Sequence, residues 1–266
     1  MRSSRPDVVF HLAAYKHVDM GEMFPDHYVS NNVLATWRLA RLAITGGVAR
    51  FVYPSSDKAV HPCSVYGATK RAVELGLSSL NSSLSTSRFL LARLVNVLGA
   101  RGGVFETLIT QASNGQSLTL THPEMTRFWI TEGEAIRLLA WAATTSEAGD
   151  CFELNCGEAV SLQAVARALW ERYCPSGQEF SVNYIGPRPG ERLEEVLWST
   201  TETCEPCETS GIVRIQGDRS SLWSSSDIDT EFALWGRLID EGNLDELSRR
   251  LQQLTGAYFA TPPRNG

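Results

Sequence analysis

The sequence predicts an α/β chain organised around a parallel sheet, and three observations predict it. Short apolar runs at 8–12, 51–55, 89–95 and 151–154 alternate with longer stretches of helical periodicity, the pattern of βαβ units. Turn residues punctuate that alternation, with Gly46-Gly47 after one helical stretch and Gly102-Gly103 before another. The 266 residues suffice for one large domain, or two smaller ones, with a real core.

The elements follow in order. Val8-Val9-Phe10-His11-Leu12 comes directly after Pro6-Asp7 and reads as a buried strand. A long helix is predicted over 25–45, stopped by Gly46-Gly47. Strand 51–55, a helix through Tyr66 to about Leu80 and strand 89–95 come next. Gly102-Gly103 starts a helix that runs to about Asn114, and Leu118-Thr119-Leu120 is a short strand. Residues 134–144 are apolar on one helical face. Cys151-Phe152-Glu153-Leu154 reads as a strand, 161–173 as a helix with Ser161 as N-cap, and 180–185 as a strand. The last third is less regular: 199–210, rich in Thr, Glu and Cys, and the Ser-rich 220–226 read as loops. Leucines at 244, 247, 251 and 254 form an apolar helical stripe, and the tail 261–266 is expected to fray. No internal repeat is present.

Composition excludes several functional classes. The net charge is −6 and no basic stripe is present, which argues against nucleic acid. No apolar run approaches the roughly 20 residues of a membrane span. Met1 to Pro6 is basic, but the apolar run behind it is too short for a good signal peptide. Cys204-Glu-Pro-Cys207 is the only close pair among six cysteines. With no second such pair and no His-rich partner, no metal site and no structural disulfide are expected, and a cytoplasmic location is.

The chemistry concentrates in Ser55-Ser56-Asp57-Lys58 and Tyr66-Gly-Ala-Thr-Lys70. Tyr66 and Lys70 are four apart and share one helix face. The strand at 51–55 delivers Asp57 and Lys58 to the carboxyl end of the sheet, where open α/β folds bind ligands. Two acid–base pairs, Tyr66/Lys70 and Asp57/Lys58, thus surround one crevice. An ammonium near a phenol favours the phenolate, so Tyr66 can accept a proton from an alcohol while hydride leaves its carbon. A lone Tyr-x-x-x-Lys is more often an ordinary exposed helix face; the neighbouring residues give this one its weight. Arg127 and Arg188 can meet phosphate oxygens in a bidentate fork, although either alone is equally a surface ion pair. Arg188 lies in a loop punctuated by Pro and Gly, where function is more common than in a helix.

Seven segments in order extend this pattern: Pro6 to Val18, Asn31 to Thr36, Ser55 to Ala59, Tyr66 to Arg71, Asn96 to Gly102, Met125 to Thr131 and Arg188 to Leu193. On these residues the chain resembles the extended short-chain dehydrogenase/reductases, and within them the polysaccharide-biosynthesis branch typified by UDP-N-acetylglucosamine 4,6-dehydratases. The resemblance spans about 190 residues and weakens after about residue 200. It implies a Rossmann-like parallel sheet, truncated on its N-terminal side, with a smaller C-terminal α/β domain that binds substrate. Residues 1–97 plus about 128–157 would form the NAD(P)-binding domain, and about 98–127 plus 158–266 the nucleotide-sugar domain.

The resemblance also implies roles. Tyr66 is the base on the sugar C4 hydroxyl, and Lys70 holds the nicotinamide ribose and lowers the Tyr66 pKa. Ala13 and Ser55 line the cofactor, and Asn32 supports the geometry beside it. Lys16 meets the substrate or the cofactor edge. Asn96, Arg127 and Arg188 grip the nucleotide diphosphate, while Glu191 orients Arg188, bonds a ribose hydroxyl or is simply a first-turn acid. Lys58, as a neutral base whose pKa burial lowers, removes the C5 proton, and Asp57 protonates the departing C6 hydroxyl. The cofactor is NAD or NADP, with NADP slightly favoured, and the expected assembly is a homo-oligomer. No GxGxxG or GxxGxxG turn precedes Val8. Three further readings therefore stand beside a dehydratase or its 5-epimerising relative. They are a truncated remnant or partner subunit that binds UDP-sugar without turnover, a Met1 that is an internal start of a longer frame, and a UDP-sugar epimerase.

Overall fold

The structure is a computed structural model that describes residues 5–81, 87–146, 151–175, 177–217 and 223–259. A six-stranded sheet forms its frame. Strands β1 (Val8–Phe10), β2 (Arg50–Ser56) and β3 (Arg88–Leu94) are parallel neighbours. Their connections are helical: α1 (Val18–Met23), α2 (Pro25–Tyr28), a π-helical turn Val29–Leu34 and α3 (Ala35–Thr45) precede β2. Helix α4 (Val65–Asn81) precedes β3.

The short β4 (Asn96–Val97), α5 (Val104–Ser113), β5 (Leu118–Leu120), β6 (Thr126–Arg127) and β7 (Trp129–Ile130) then leave the sheet. Helix α6 (Glu132–Thr144) returns the chain to β8 (Cys151–Leu154), which pairs parallel with β3. The chain leaves again through β9 (Val160–Ser161), α7 (Leu162–Tyr173) and β10 (Val182–Tyr184). Strands β11 (Glu202–Pro206) and β12 (Ile212–Gly217) close the sheet as an antiparallel hairpin, giving the order β1-β2-β3-β8-β12-β11. Helices α8 (Ser225–Asp240) and α9 (Leu244–Thr255) end the fold.

The sheet is buried on both faces because its strands are apolar at successive positions. Phe51, Tyr53, Phe89 and Leu91 enter one core with helices α3, α4, α8 and α9. Val52, Leu90, Ala92 and Phe152 enter the other, beneath α6, as the period-two alternation of a strand requires. A third, smaller core joins α5, β5, α7 and β10 through Leu108, Leu118, Leu162 and Trp170. The result is an α/β fold with a Rossmann-like, parallel-dominated sheet and a smaller satellite.

Three expectations need correction. The first strand is half-exposed rather than buried: Phe10 is 46% exposed, because among the described residues β1 pairs only with β2. Residues 199–210 hold strand β11 rather than a loop. Glu-Thr-Cys-Glu-Pro offers no apolar alternation, and the strand exists through its pairing with β12. Ser224–Ser226 begins a helix, with Ser224 and Asp227 forming a capping box; 220–222 and the tail 261–266 lie outside the described residues.

The placement of β11, β12, α8 and α9 also departs from the expected division, since they join the main sheet and its core rather than the satellite unit that 158–266 was expected to form. None of the described helices is long and apolar enough to cross a membrane.

Candidate active site

The carboxyl ends of β2 and β3 open onto a cleft of about 620 Å³. Where β2 ends, the chain turns tightly through Asp57–Ala59, and the Ser56 hydroxyl caps the turn by accepting from the Lys58 amide at 3.3 Å. Helix α4 starts a few residues later, its Val65 N–H donating to the Glu22 carboxylate of α1 at 2.7 Å. Gly67 lets the helix approach this turn, because a Cβ there would collide with the Lys58 carbonyl. The close approach places Ser56, Lys58, Tyr66 and Lys70 in the wall of one cleft.

The electrostatics differ from the expected arrangement. Burial pushes the Tyr66 phenol above its ordinary value, while Lys58 and a hydrogen bond with Ser56 pull it back. The cation that favours the phenolate is thus Lys58 rather than Lys70. The Lys70 amine turns away, donating to the Pro54 carbonyl at 2.9 Å and lying 4.5 Å above the Tyr53 ring, against 6.0 Å for the Tyr66 ring. Burial lowers its pKa to about 8, against the opposing pull of Glu74.

Lys58 is the opposite case. Burial works against its charge, but Asp57 Oδ1 at 3.1 Å and Glu195 Oε1 at 3.0 Å outweigh that and raise its pKa above the ordinary lysine value. The neutral base expected from burial alone is corrected to an ammonium between two carboxylates. Asp57 is fully buried and lies behind the cleft wall, so the direct protonation of a C6 hydroxyl expected of it is corrected to a contact with the cleft through Lys58. Its Oδ1 accepts from Ser56 and Lys58, and its Oδ2 has no partner among the described residues.

Other named residues fall in three groups. Asn96, Arg127, Arg188, Glu191, Lys16 and Ser55 also line the cleft. The Ser55 hydroxyl donates to Glu74 at 2.7 Å, and Asn96 donates to the Phe128 carbonyl. Arg127 donates to the carbonyls of Thr126 and Leu193, whereas Arg188 is half-exposed and 3.7 Å from Asp19. The Arg188 N–H donates to Glu191 at 3.0 Å, and the Lys16 amine to the Arg101 carbonyl. Asn32 is buried in the π-helical turn. It clamps the Tyr15 backbone in both directions and donates to Thr69 of α4 at 3.3 Å, so it acts on geometry from outside the cleft. Ala13 is exposed, and its neighbours Leu12 and Ala14 line the cleft instead.

Sequence reasoning passed over Ser56, Glu195 and Arg192. Ser56 stood inside the highlighted run, and its position before the Asp57 turn was an available capping signal. Arg192 donates to the Val60 carbonyl at 2.9 Å and to Cys63 Sγ at 3.1 Å. Glu195 carries no local signal, since only the fold brings it to Lys58.

A family model described as "Polysaccharide biosynthesis protein" matches residues 1–217. The chain belongs to that family. It is 39% identical over 202 residues to the capsular polysaccharide biosynthesis protein CapD of Staphylococcus aureus, covering 76% of this chain and 34% of that protein. It therefore spans about a third of that relative's length. It is 32% identical over 218 residues to a UDP-glucose 4-epimerase of Rickettsia akari, covering 81% of this chain and 63% of that one. Among solved structures, Pen from Bacillus thuringiensis matches with a TM-score of 0.74 at 28% identity, over 87% of this chain and 75% of that one. MoeE5 in complex with UDP-glucose and NAD matches with a TM-score of 0.59 at 26% identity, over 70% and 67%. The relatives and neighbours of this chain thus include a UDP-glucose 4-epimerase and a structure holding UDP-glucose with NAD.

Proposed function

We propose that this member of the polysaccharide biosynthesis family is a nucleotide-sugar 4,6-dehydratase acting on a UDP-N-acetylhexosamine in the synthesis of surface polysaccharide precursors. The observation that supports this is the Lys58 amine in the cleft wall with Tyr66. Oxidation and reduction at C4 need the Ser56–Tyr66–Lys70 set, whereas elimination across C5 and C6 needs a further acid–base group. The same set suits the nicotinamide-ribose end of NAD or NADP, with NADP slightly favoured by the resemblance. When bound, that cofactor supplies the chemistry of taking hydride from C4 and returning it to C6.

The protein's own residues supply the proton transfers. Tyr66, bonded to Ser56, takes the C4 hydroxyl proton. Lys58 becomes a base by passing one proton to Asp57 across their 3.1 Å contact. It then takes the C5 proton and delivers it to the departing C6 oxygen, which leaves as water; as hydride reaches C6, Asp57 returns its proton through Lys58 to C5, and the C4 hydroxyl proton held by Tyr66 restores the Lys58 ammonium. Asn96, Arg127, Arg188 and Glu191 line the same cleft and are the groups proposed to hold the UDP moiety. We infer a cytoplasmic assembly of like chains, which light scattering tests.

A second reading, 4-epimerisation, is favoured by the 32% identity to a UDP-glucose 4-epimerase and by the burial of Asp57. Incubation with UDP-N-acetylglucosamine and either dinucleotide separates the two. The dehydratase reading expects a 4-keto-6-deoxy product lighter by one water. A C4 epimer of unchanged mass would replace it with the epimerase. No turnover, with the UDP-sugar still bound, would leave a binding remnant or partner subunit.

A further inference from the structure

The chain contains only three lysines, Lys16, Lys58 and Lys70, and all three line the cleft. Lys58 lies between carboxylates of unlike origin. Asp57 is its chain neighbour and belongs to the turn after β2. Glu195 comes from the segment between β10 and β11, which also brings Arg188, Glu191 and Arg192 to the cleft. The Glu195 side chain is 2% exposed, its Oε1 is 3.6 Å from Arg127 Nε, and its Oε2 is buried with no partner among the described residues. A buried carboxylate is costly unless something fixes its charge, and Lys58 is the closer of its two cations.

We propose that Glu195 is a positioning residue acting through Lys58: it ties the amine to the 188–195 segment and holds it, charged, between Asp57 and the cleft. The consequence is a link between ligand and base. A ligand that draws this segment outward loosens the 3.0 Å contact and leaves Lys58 paired with Asp57 alone, the state in which one proton transfer yields a neutral amine. The inference rests on the acid–base role proposed for Lys58, but its test needs no turnover.

The test is amine labelling of the folded chain with a small acylating reagent over a range of pH, read lysine by lysine by mass spectrometry. Only neutral amines react, so the Lys58 rate follows its ionisation. In Glu195→Gln, Lys58 is expected to label about tenfold faster at a given pH, equivalent to a shift of about one pKa unit, while Lys70 keeps its wild-type rate. Glu195→Asp, which retains the charge, is expected to stay within about threefold of wild type on the same scale. An unchanged Lys58 rate in Glu195→Gln would overturn the proposal. So would equal acceleration in the Gln and Asp variants, or acceleration of Lys70 in parallel with Lys58, because loosening rather than loss of the ion pair would then explain the effect. A chain that labels as expected yet turns over no UDP-sugar would instead defeat the dehydratase reading and leave the role of Glu195 standing.

Discussion

At the scale of single residues, the site works through charges held in place by burial. Tyr66→Phe removes the proposed proton acceptor and is expected to lower turnover by about 10³-fold or more, with UDP-sugar binding by calorimetry retained. Lys58→Ala is expected to stop water loss and, by removing the cation that pulls the Tyr66 phenol down, to slow C4 oxidation without abolishing it, so reduced nicotinamide still accumulates and is seen by its absorbance; normal turnover in this variant would remove Lys58 from the elimination. Glu153 makes a separate prediction. Both its oxygens are buried without a partner among the described residues, and burial raises its pKa well above the ordinary 4.5 despite the opposing field of Arg93. A raised carboxyl pKa means that the folded chain binds this proton more tightly than the unfolded chain. The ionisation-linked cost is therefore absent below about pH 4.5 and grows as pH rises from there toward the folded pKa. Glu153→Gln is expected to stabilise the fold at pH 8 by about 1–3 kcal/mol and to change little near pH 4, as measured by thermal melts at both pH values.

At the scale of elements, α4 carries most of the site. All of it except Arg71 and Asn81 is buried, and its first turn depends on contacts from other segments. Glu22→Ala leaves the Val65 N–H without its acceptor and is expected to cost about 1 kcal/mol, read from urea unfolding. Gly67→Ala forces the helix away from the Lys58 carbonyl and is expected to cost more, about 1–3 kcal/mol, with a loss of activity larger than the loss of stability.

Helix α4 was legible in the sequence because its apolar residues recur at helical spacing, and strands β2, β3 and β8 because they are short apolar runs between turn signals. Strand β11 was not, since a polar strand is specified by its partner rather than by its own pattern. Helix α8 had visible signals that went unread: the Ser224/Asp227 box and the spacing of Ile228, Phe232, Trp235 and Leu238. In the site, Tyr66, Lys70 and Lys58 could be found because they sit close together along the chain. Their charge states could not, because these depend on Glu195, which folding brings from far along the sequence.

At the scale of the whole molecule, one buried network joins the closing hairpin to the parallel sheet that carries the cleft. Arg93 of β3 makes paired bonds of 2.8–2.9 Å to Glu74 of α4 and to Glu202 of β11. Glu74 in turn accepts from Ser55 at the cleft wall. Arg93→Met leaves two carboxylates without their main cation and is expected to destabilise the chain by about 3–5 kcal/mol. The triple change to Met, Leu and Leu at 93, 74 and 202 is expected to recover much of that loss, because both buried carboxylates go with their cation, and Arg71, which pairs with the same carboxylates, is partly exposed and can turn to solvent. Wild-type urea midpoints in both the single and the triple variant would show that the hairpin is held by its strand pairing alone.

The sparse lysines carry a practical consequence at this same scale. A protease that cuts only after lysine finds its three sites in the walls of a single crevice, so the lifetime of the intact chain under digestion becomes a gauge of how often that crevice is filled. Added UDP-sugar should lengthen that lifetime in proportion to its occupancy, with no reaction needed to see it.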